Sequence, residues 1–304
     1  MTIRPIAAFA ALALSALAFS PISARAIEIE TATGRVDIAK TPEKIAVFDL
    51  AAIDTLDRIG VTISGLPSKL YISEFERLTQ GAETVGDIFE PDLEALSALD
   101  PDLIIVGGRS STKLEAVTKV APAVDMTLYG EDLIAQAKQR LATYGALFAR
   151  QAEAEKAAAE FDAKLATTKA AVAGKGKALI IMTNGPKVTA YGPGSRFGWV
   201  HAALDLPAAV PDVEAANHGE AVSFEFIAKA NPDWLLVLDR AAAIGSGEQA
   251  ARATLDNELV AGTTAWKKGQ VIYLPSAEFY IAAGGIQSTE RVLAAISEAF
   301  AAAK

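Results

Sequence analysis

Two stretches of this chain are near-copies of each other, set 131 positions apart. Leu93 to Arg109 aligns without a gap on Phe224 to Arg240. Glu94 falls on Glu225, Pro101-Asp102 on Pro232-Asp233, Val106 on Val237 and Arg109 on Arg240. Most other positions match apolar with apolar. Each copy reads as a short helix, a proline break and a buried strand. Two like units in one chain predict two like lobes, and two lobes make a cleft.

The rest of the chain repeats the same rhythm. Strand-like runs fall at Ile45–Phe48, Val61–Ser64, Leu103–Val106, Ala178–Met182, Val188–Tyr191, Trp234–Leu238 and Val271–Leu274. Several are continuously apolar, as strands covered on both faces are. Helical patterns lie at Ala51–Ile59, Leu93–Leu99, Thr112–Lys119, Phe197–Leu204, Phe224–Ala230 and Ile286–Ala302. This order predicts an α/β fold of two Rossmann-like lobes with mainly parallel sheets.

Between the lobes, residues 131–173 are rich in Ala, Glu, Lys, Gln and Leu, with one glycine, Gly145, and no proline. Such helix formers predict one long joining helix of about 60 Å. Two consecutive helices broken near Gly145 are the alternative. The expected division is then 27–130 for the first lobe, 131–173 for the joining helix and 174–304 for the second lobe.

Residues 1–26 stand apart. Arg4 precedes an uncharged apolar run from Ile6 to Ile22, and Ala24-Arg25-Ala26 supplies the small residues of a cleavage site. The pattern predicts a secretory signal peptide; an uncleaved anchor is the other reading. The chain has no cysteine, so neither a lipidated cysteine nor a disulfide is expected. The expected product is a free exported protein, periplasmic in a cell with an outer membrane. Its formal charge is −9, or −11 once Arg4 and Arg25 leave with the leader. Such acidity argues against nonspecific binding to nucleic acid or anionic lipid.

In an acidic chain, arginines placed together need a reason. Arg109 follows the Leu103–Val106 strand, Arg240 follows Trp234–Leu238, and Arg196 follows Val188–Tyr191 through Gly192-Pro-Gly-Ser195. Ligands of open α/β sheets bind beyond the carboxyl ends of strands. Three arginines there, each a planar fork of donors, predict an anion site. His218 lies in a polar loop beside Gly219, and Tyr280 follows the last strand; imidazole and phenolate together suit Fe(III). The other histidine, His201, sits in a helical pattern and reads as a packing residue. Glu94 and Glu225 complement the dipoles of their own helices. They also put one acid on each lobe, as docking to a two-fold partner would require.

Several chemistries have no motif here. Gly192-Pro-Gly-Ser-Arg-Phe-Gly198 is one residue too long for a dinucleotide fingerprint, and there is neither a phosphate loop nor a Gly-x-Ser-x-Gly elbow. Two histidines and no cysteine exclude most zinc sites and all thiolate clusters.

At Tyr191-Gly-Pro-Gly-Ser-Arg-Phe-Gly-Trp-Val-His201, Asn217-His-Gly-Glu-Ala-Val-Ser-Phe-Glu-Phe-Ile227 and Val237-Leu-Asp-Arg240, the chain resembles the periplasmic substrate-binding proteins of iron–siderophore ABC transporters, in their ferric-catecholate branch. The resemblance covers essentially the whole chain after the leader. It implies two α/β lobes bridged by a helix, a ferric siderophore as ligand and no intrinsic cofactor. It places the anion-binding arginines at Arg109, Arg196 and Arg240, direct iron ligands at His218 and Tyr280, and permease-docking acids at Glu94 and Glu225. The partners implied are the ferric chelate and an inner-membrane permease dimer, with the protein itself a monomer and not an enzyme. Haem, a hydroxamate siderophore or a corrinoid in the same cleft stays open, as does, more remotely, an exported α/β hydrolase.

Overall fold

Both copies of the repeat fold as predicted, and for matching reasons. The computed structural model describes residues 26–128, 132–213 and 219–303. Helix Leu93–Leu99 starts at Asp92, whose carboxylate accepts the N–H groups of Glu94 and Ala95, both at 3.0 Å. Helix Phe224–Ala230 starts at Ser223, whose hydroxyl accepts the N–H of Phe226. Each ends on a left-handed polar residue, Asp100 (φ 52°) and Asn231 (φ 39°). Such short polar side chains tolerate that conformation better than others do. Then Asp102 accepts the Lys44 N–H at 2.9 Å and Asp233 accepts the Lys177 N–H at 2.9 Å. Each aspartate thereby ties the repeat to the segment entering the neighbouring parallel strand, Ile45–Val47 or Ala178–Asn184.

The first lobe holds a five-stranded sheet in the order Glu83–Thr84, Gly65–Leu66, Ile45–Val47, Leu103–Val106, Ala123–Asp125, parallel throughout. The second sheet runs Glu220–Val222, Lys187–Tyr191, Ala178–Asn184, Trp234–Asp239, Val271–Tyr273. The expectation of mainly parallel pairing holds for the two sheets taken together, with one antiparallel part here. The last three strands are parallel, but the first three pair antiparallel. Ala178–Asn184 and Lys187–Tyr191 are separated by Gly185-Pro186 alone, and two residues can close a hairpin but not a crossover. A separate hairpin, Ile27–Thr31 with Gly34–Ile38, opens the first lobe.

The single joining helix needs correction to the alternative, two helices broken near Gly145. Two helices, Leu133–Leu147 and Gln151–Val172, occupy the described part of that segment. Ala149 between them has φ 53°, and the Arg150 N–H turns back to the Gly145 carbonyl at 2.7 Å. The helices cross where a Cβ on Gly145 would lie 2.6 Å from Ala154 Cβ. Gly145 therefore marks a close crossing, and the strut is the 22-residue second helix, about 33 Å long.

Alternating residues of each central strand go to different cores. Ile45, Val47 and Ile105, with Ile180 and Leu236 of the other sheet, join one cluster with Leu141, Phe161, Leu293 and Phe300 from the helices. Ala46, Ile104 and Val106 pack outward under Leu96 and Val117, and Leu179, Leu235 and Val237 under Ile227 and Leu255. The repeated helices thus cover the outer faces. One continuous core, built on helices 133–147, 151–172 and 286–302, joins the two sheets at their inner faces. Among the described residues no helix is long and apolar enough to cross a membrane. The predicted leader, apart from Ala26, lies outside them, as does His218.

Candidate functional site

The carboxyl ends of the strands from both sheets open on a cavity of about 470 Å³, within the range of small-ligand sites. From the first lobe it is lined by Phe48, Asp49, Gly107, Gly108, Arg109 and Thr127, and from the second by Arg196, Tyr280 and Ile281. The lining segments lie beyond strand ends. Gly107-Gly108 carry the chain from Leu103–Val106 into a short 3-10 helix, Gly108–Lys113, which presents Arg109. Arg240 opens helix Arg240–Ile244 at the end of Trp234–Asp239 and lies outside the residues that line the cavity.

The three predicted arginines converge on one residue. Arg109 and Arg196 both donate to the Tyr280 carbonyl, at 3.4 and 3.2 Å. Their guanidinium carbons lie 4.9 and 5.0 Å from the centre of its ring, within cation–π range. Arg240 donates to the Asn184 side chain at 3.0 Å and reaches the cluster through the Tyr280 phenol. Behind Arg196, Phe197 stacks on Phe279 with centroids 4.5 Å apart, and Trp199 meets Phe279 edge-on. This aromatic shelf fixes the Arg196 loop.

The electrostatics follow from that crowding. Burial lowers the Arg196 pKa, and the nearby Arg109 charge lowers it further. Burial by itself would raise the Tyr280 phenol. The hydrogen bond from Arg240 and the charges of Arg109, Arg196 and Arg240 outweigh it and lower the pKa. The cluster therefore favours an anion, whether a phenolate of its own or one on a ligand.

Glu94 and Glu225 are both exposed, each in the first turn of its repeat helix and away from the cavity lining. His201 is buried, with Nδ1 2.8 Å from the Leu206 carbonyl, in keeping with a packing role. Sequence reasoning missed two groups. Asp49 follows strand Ile45–Val47 as directly as the arginines follow theirs, so the strand-end argument could have found it had it not been applied to cations alone. Lys69 donates to the Ile244 carbonyl at 2.7 Å and so links the lobes beyond the ends of Gly65–Leu66 and Trp234–Asp239. No local signal marks it.

The family model described as periplasmic binding protein matches residues 45–278. The petrobactin-binding protein YclQ of Bacillus subtilis is 33% identical over 267 residues, covering 86% of this chain and 83% of its own. Its crystal structure superposes with a TM-score of 0.84 at 30% identity, over 91% of this chain and 99% of that one. The ferric-anguibactin-binding protein FatB of Vibrio anguillarum is 32% identical over 277 residues, 88% of this chain and 85% of its own. The periplasmic catecholate-siderophore binding protein VctP of Vibrio cholerae superposes with a TM-score of 0.80 at 29% identity, over 90% of this chain and all of that one.

Proposed function

The chain belongs to the periplasmic binding protein family, and on that premise we propose that it captures a ferric catecholate-type siderophore between its lobes and delivers it to an ABC permease. One observation carries the reading: three arginines from three strand ends, in an acidic chain, meet around Tyr280 at the cavity. A tris-catecholate iron complex is a delocalised trianion with planar aromatic faces. Guanidinium groups suit it through charge, hydrogen bonding and stacking. A charge-assisted hydrogen bond contributes about 1.5–3 kcal/mol, so three such residues supply much of the ~12 kcal/mol of a nanomolar complex.

Iron is cargo in this reading. Where a chelate offers only four donor atoms, the Tyr280 phenolate and His218 complete the shell. The lowered phenol pKa supports the tyrosine's part. Glu94 and Glu225, one on each repeat, meet cationic residues of the permease dimer. The chain works in the periplasm as a free monomer after its leader is cleaved. Its named relatives are binding proteins.

The test is a titration of ferric catecholates into the purified protein, followed by quenching of Trp199, Trp234 and Trp266 fluorescence. Saturable quenching at or below micromolar ligand is expected. A flat titration rejects the function.

A further inference from the structure

The cavity contains a group that an anion site should avoid. Asp49 is the one acid among the described residues lining it. A carboxylate there repels a trianionic chelate, and among the described residues no cation forms an ion pair with it. Arg109, the cation of the same lobe, directs its guanidinium to the carbonyls of Tyr280 and Ile281 and acts on Asp49 only through space.

The carboxyl group is held open to the cavity by its surroundings. Its hydrogen bonds come from the backbone of Ala51 and Ala52, the former long at 3.4 Å. Across from it, Gly107 leaves room: a Cβ there would stand 2.9 Å from Asp49 Oδ2. Capping helix Leu50–Arg58 does not by itself account for the charge, because asparagine caps as well. Asp125, the neighbouring acid, is already occupied by the Thr127 N–H and hydroxyl and lies outside the lining.

The cavity is therefore divided by charge. Cations stand around Tyr280, and an unpaired acid stands on the first lobe beside Gly107. We propose that Asp49 forms a subsite for a cationic group in the ligand's scaffold, so that the protein selects ferric catecholates whose arms are joined through an ammonium-bearing linker. The catecholate arms meet the arginines and the linker ammonium meets Asp49. This rests on the function proposed above and adds the ligand class.

The titratable groups facing Asp49 are Arg109 from the 3-10 helix, Asp125 from the adjacent strand and the neutral phenol of Tyr144 from helix Leu133–Leu147. Burial, with a smaller push from Asp125, raises its pKa to about 6. The subsite is then charged at neutral pH and discharged by mild acid.

Two ferric bis-catecholates with identical arms test this, one with a secondary amine in the linker and one with a methylene in its place. Each is titrated by tryptophan fluorescence into wild type and Asp49→Asn at pH 7.5 and 5.5. Circular dichroism checks that the variant, which keeps a capping side chain, is folded. Wild type is expected to favour the amine-linked chelate about tenfold at pH 7.5, the worth of one partly buried charge pair, and much less at pH 5.5. Asp49→Asn is expected to bring the ratio near one and to bind the methylene-linked chelate more tightly than wild type does. Equal affinities in wild type at pH 7.5, or an undiminished ratio in the variant, overturn the subsite while leaving the receptor function standing. If wild type saturates with neither chelate, the receptor function fails and the subsite falls with it.

Discussion

Asp54 on the first helix accepts, at one carboxylate oxygen, both the backbone N–H (2.9 Å) and the hydroxyl (2.7 Å) of Ser288 at the start of the last helix. Its other oxygen accepts the Gln287 N–H at 2.6 Å, while Arg291 approaches the oxygen that holds Ser288, at 3.4 Å. The side chain is fully buried. A first-lobe acid thus caps the helix Ile286–Ala302 and ties the first helix to the last. Asp54→Ala strands two helix N–H groups and leaves Arg291 with Glu278 as its carboxylate partner. It should cost about 2–4 kcal/mol, read as a lower urea midpoint. A midpoint within error of wild type would refute this cap.

Ligand charge should decide how much each arginine matters. Arg196→Ala and Arg109→Ala are expected to weaken a trianionic ferric catecholate by roughly 10- to 150-fold, the span of one charge-assisted hydrogen bond. They should weaken a neutral ferric hydroxamate far less. Equal losses for both chelates, measured by fluorescence titration, would undercut the anion site.

Tyr280 has a spectroscopic signature. With its pKa lowered by three guanidinium groups, it should ligate iron in a ferric bis-catecholate and alter the charge-transfer band. Tyr280→Phe and His218→Ala should each shift that band in the visible spectrum. If neither spectrum departs from wild type, the four-donor chelate binds without protein ligands.

The repeat makes a second, independent prediction at its other end. Reversing the charge at Glu94 or Glu225 should leave chelate affinity near the wild-type value while abolishing stimulation of permease ATPase activity in liposomes. Both residues lie on exposed first turns away from the cavity. Full stimulation by the double variant would remove them from docking.

Asp49 should leave a trace in the pH dependence of stability. Its folded pKa of about 6 lies above the unfolded value, which is ~3.9. The folded state therefore holds the extra proton between those limits, and the contribution of Asp49 is fully present below ~3.9 and lost as pH rises through 6. The stability of wild type relative to Asp49→Asn should fall by on the order of 1–3 kcal/mol from pH 4 to pH 7. A difference that stays constant, or rises with pH, contradicts the assignment.

Local pattern carried a good deal of this protein. The repeat, its helices 93–99 and 224–230, the strand Leu103–Val106 and the last helix Ile286–Ala302 were all legible. Period, caps and proline breaks are properties of neighbouring residues. The arginines were legible too, since a strand's end can be read from its sequence and ligands gather there. Edge strands of two or three residues, such as Glu83–Thr84 and Ala123–Asp125, were not, because they are too short to show a period and exist by pairing. The break at Phe148–Arg150 could be read only as the alternative to one long helix: helix formers surround it, and the crossing at Ala154 is what explains Gly145. Convergence of Arg109, Arg196 and Arg240 on Tyr280, the pairing of Asp54 with Ser288, and an acid left open beside Gly107 arise only when distant segments meet. Charge and burial depend on distance in space, and no spacing along the chain encodes that distance.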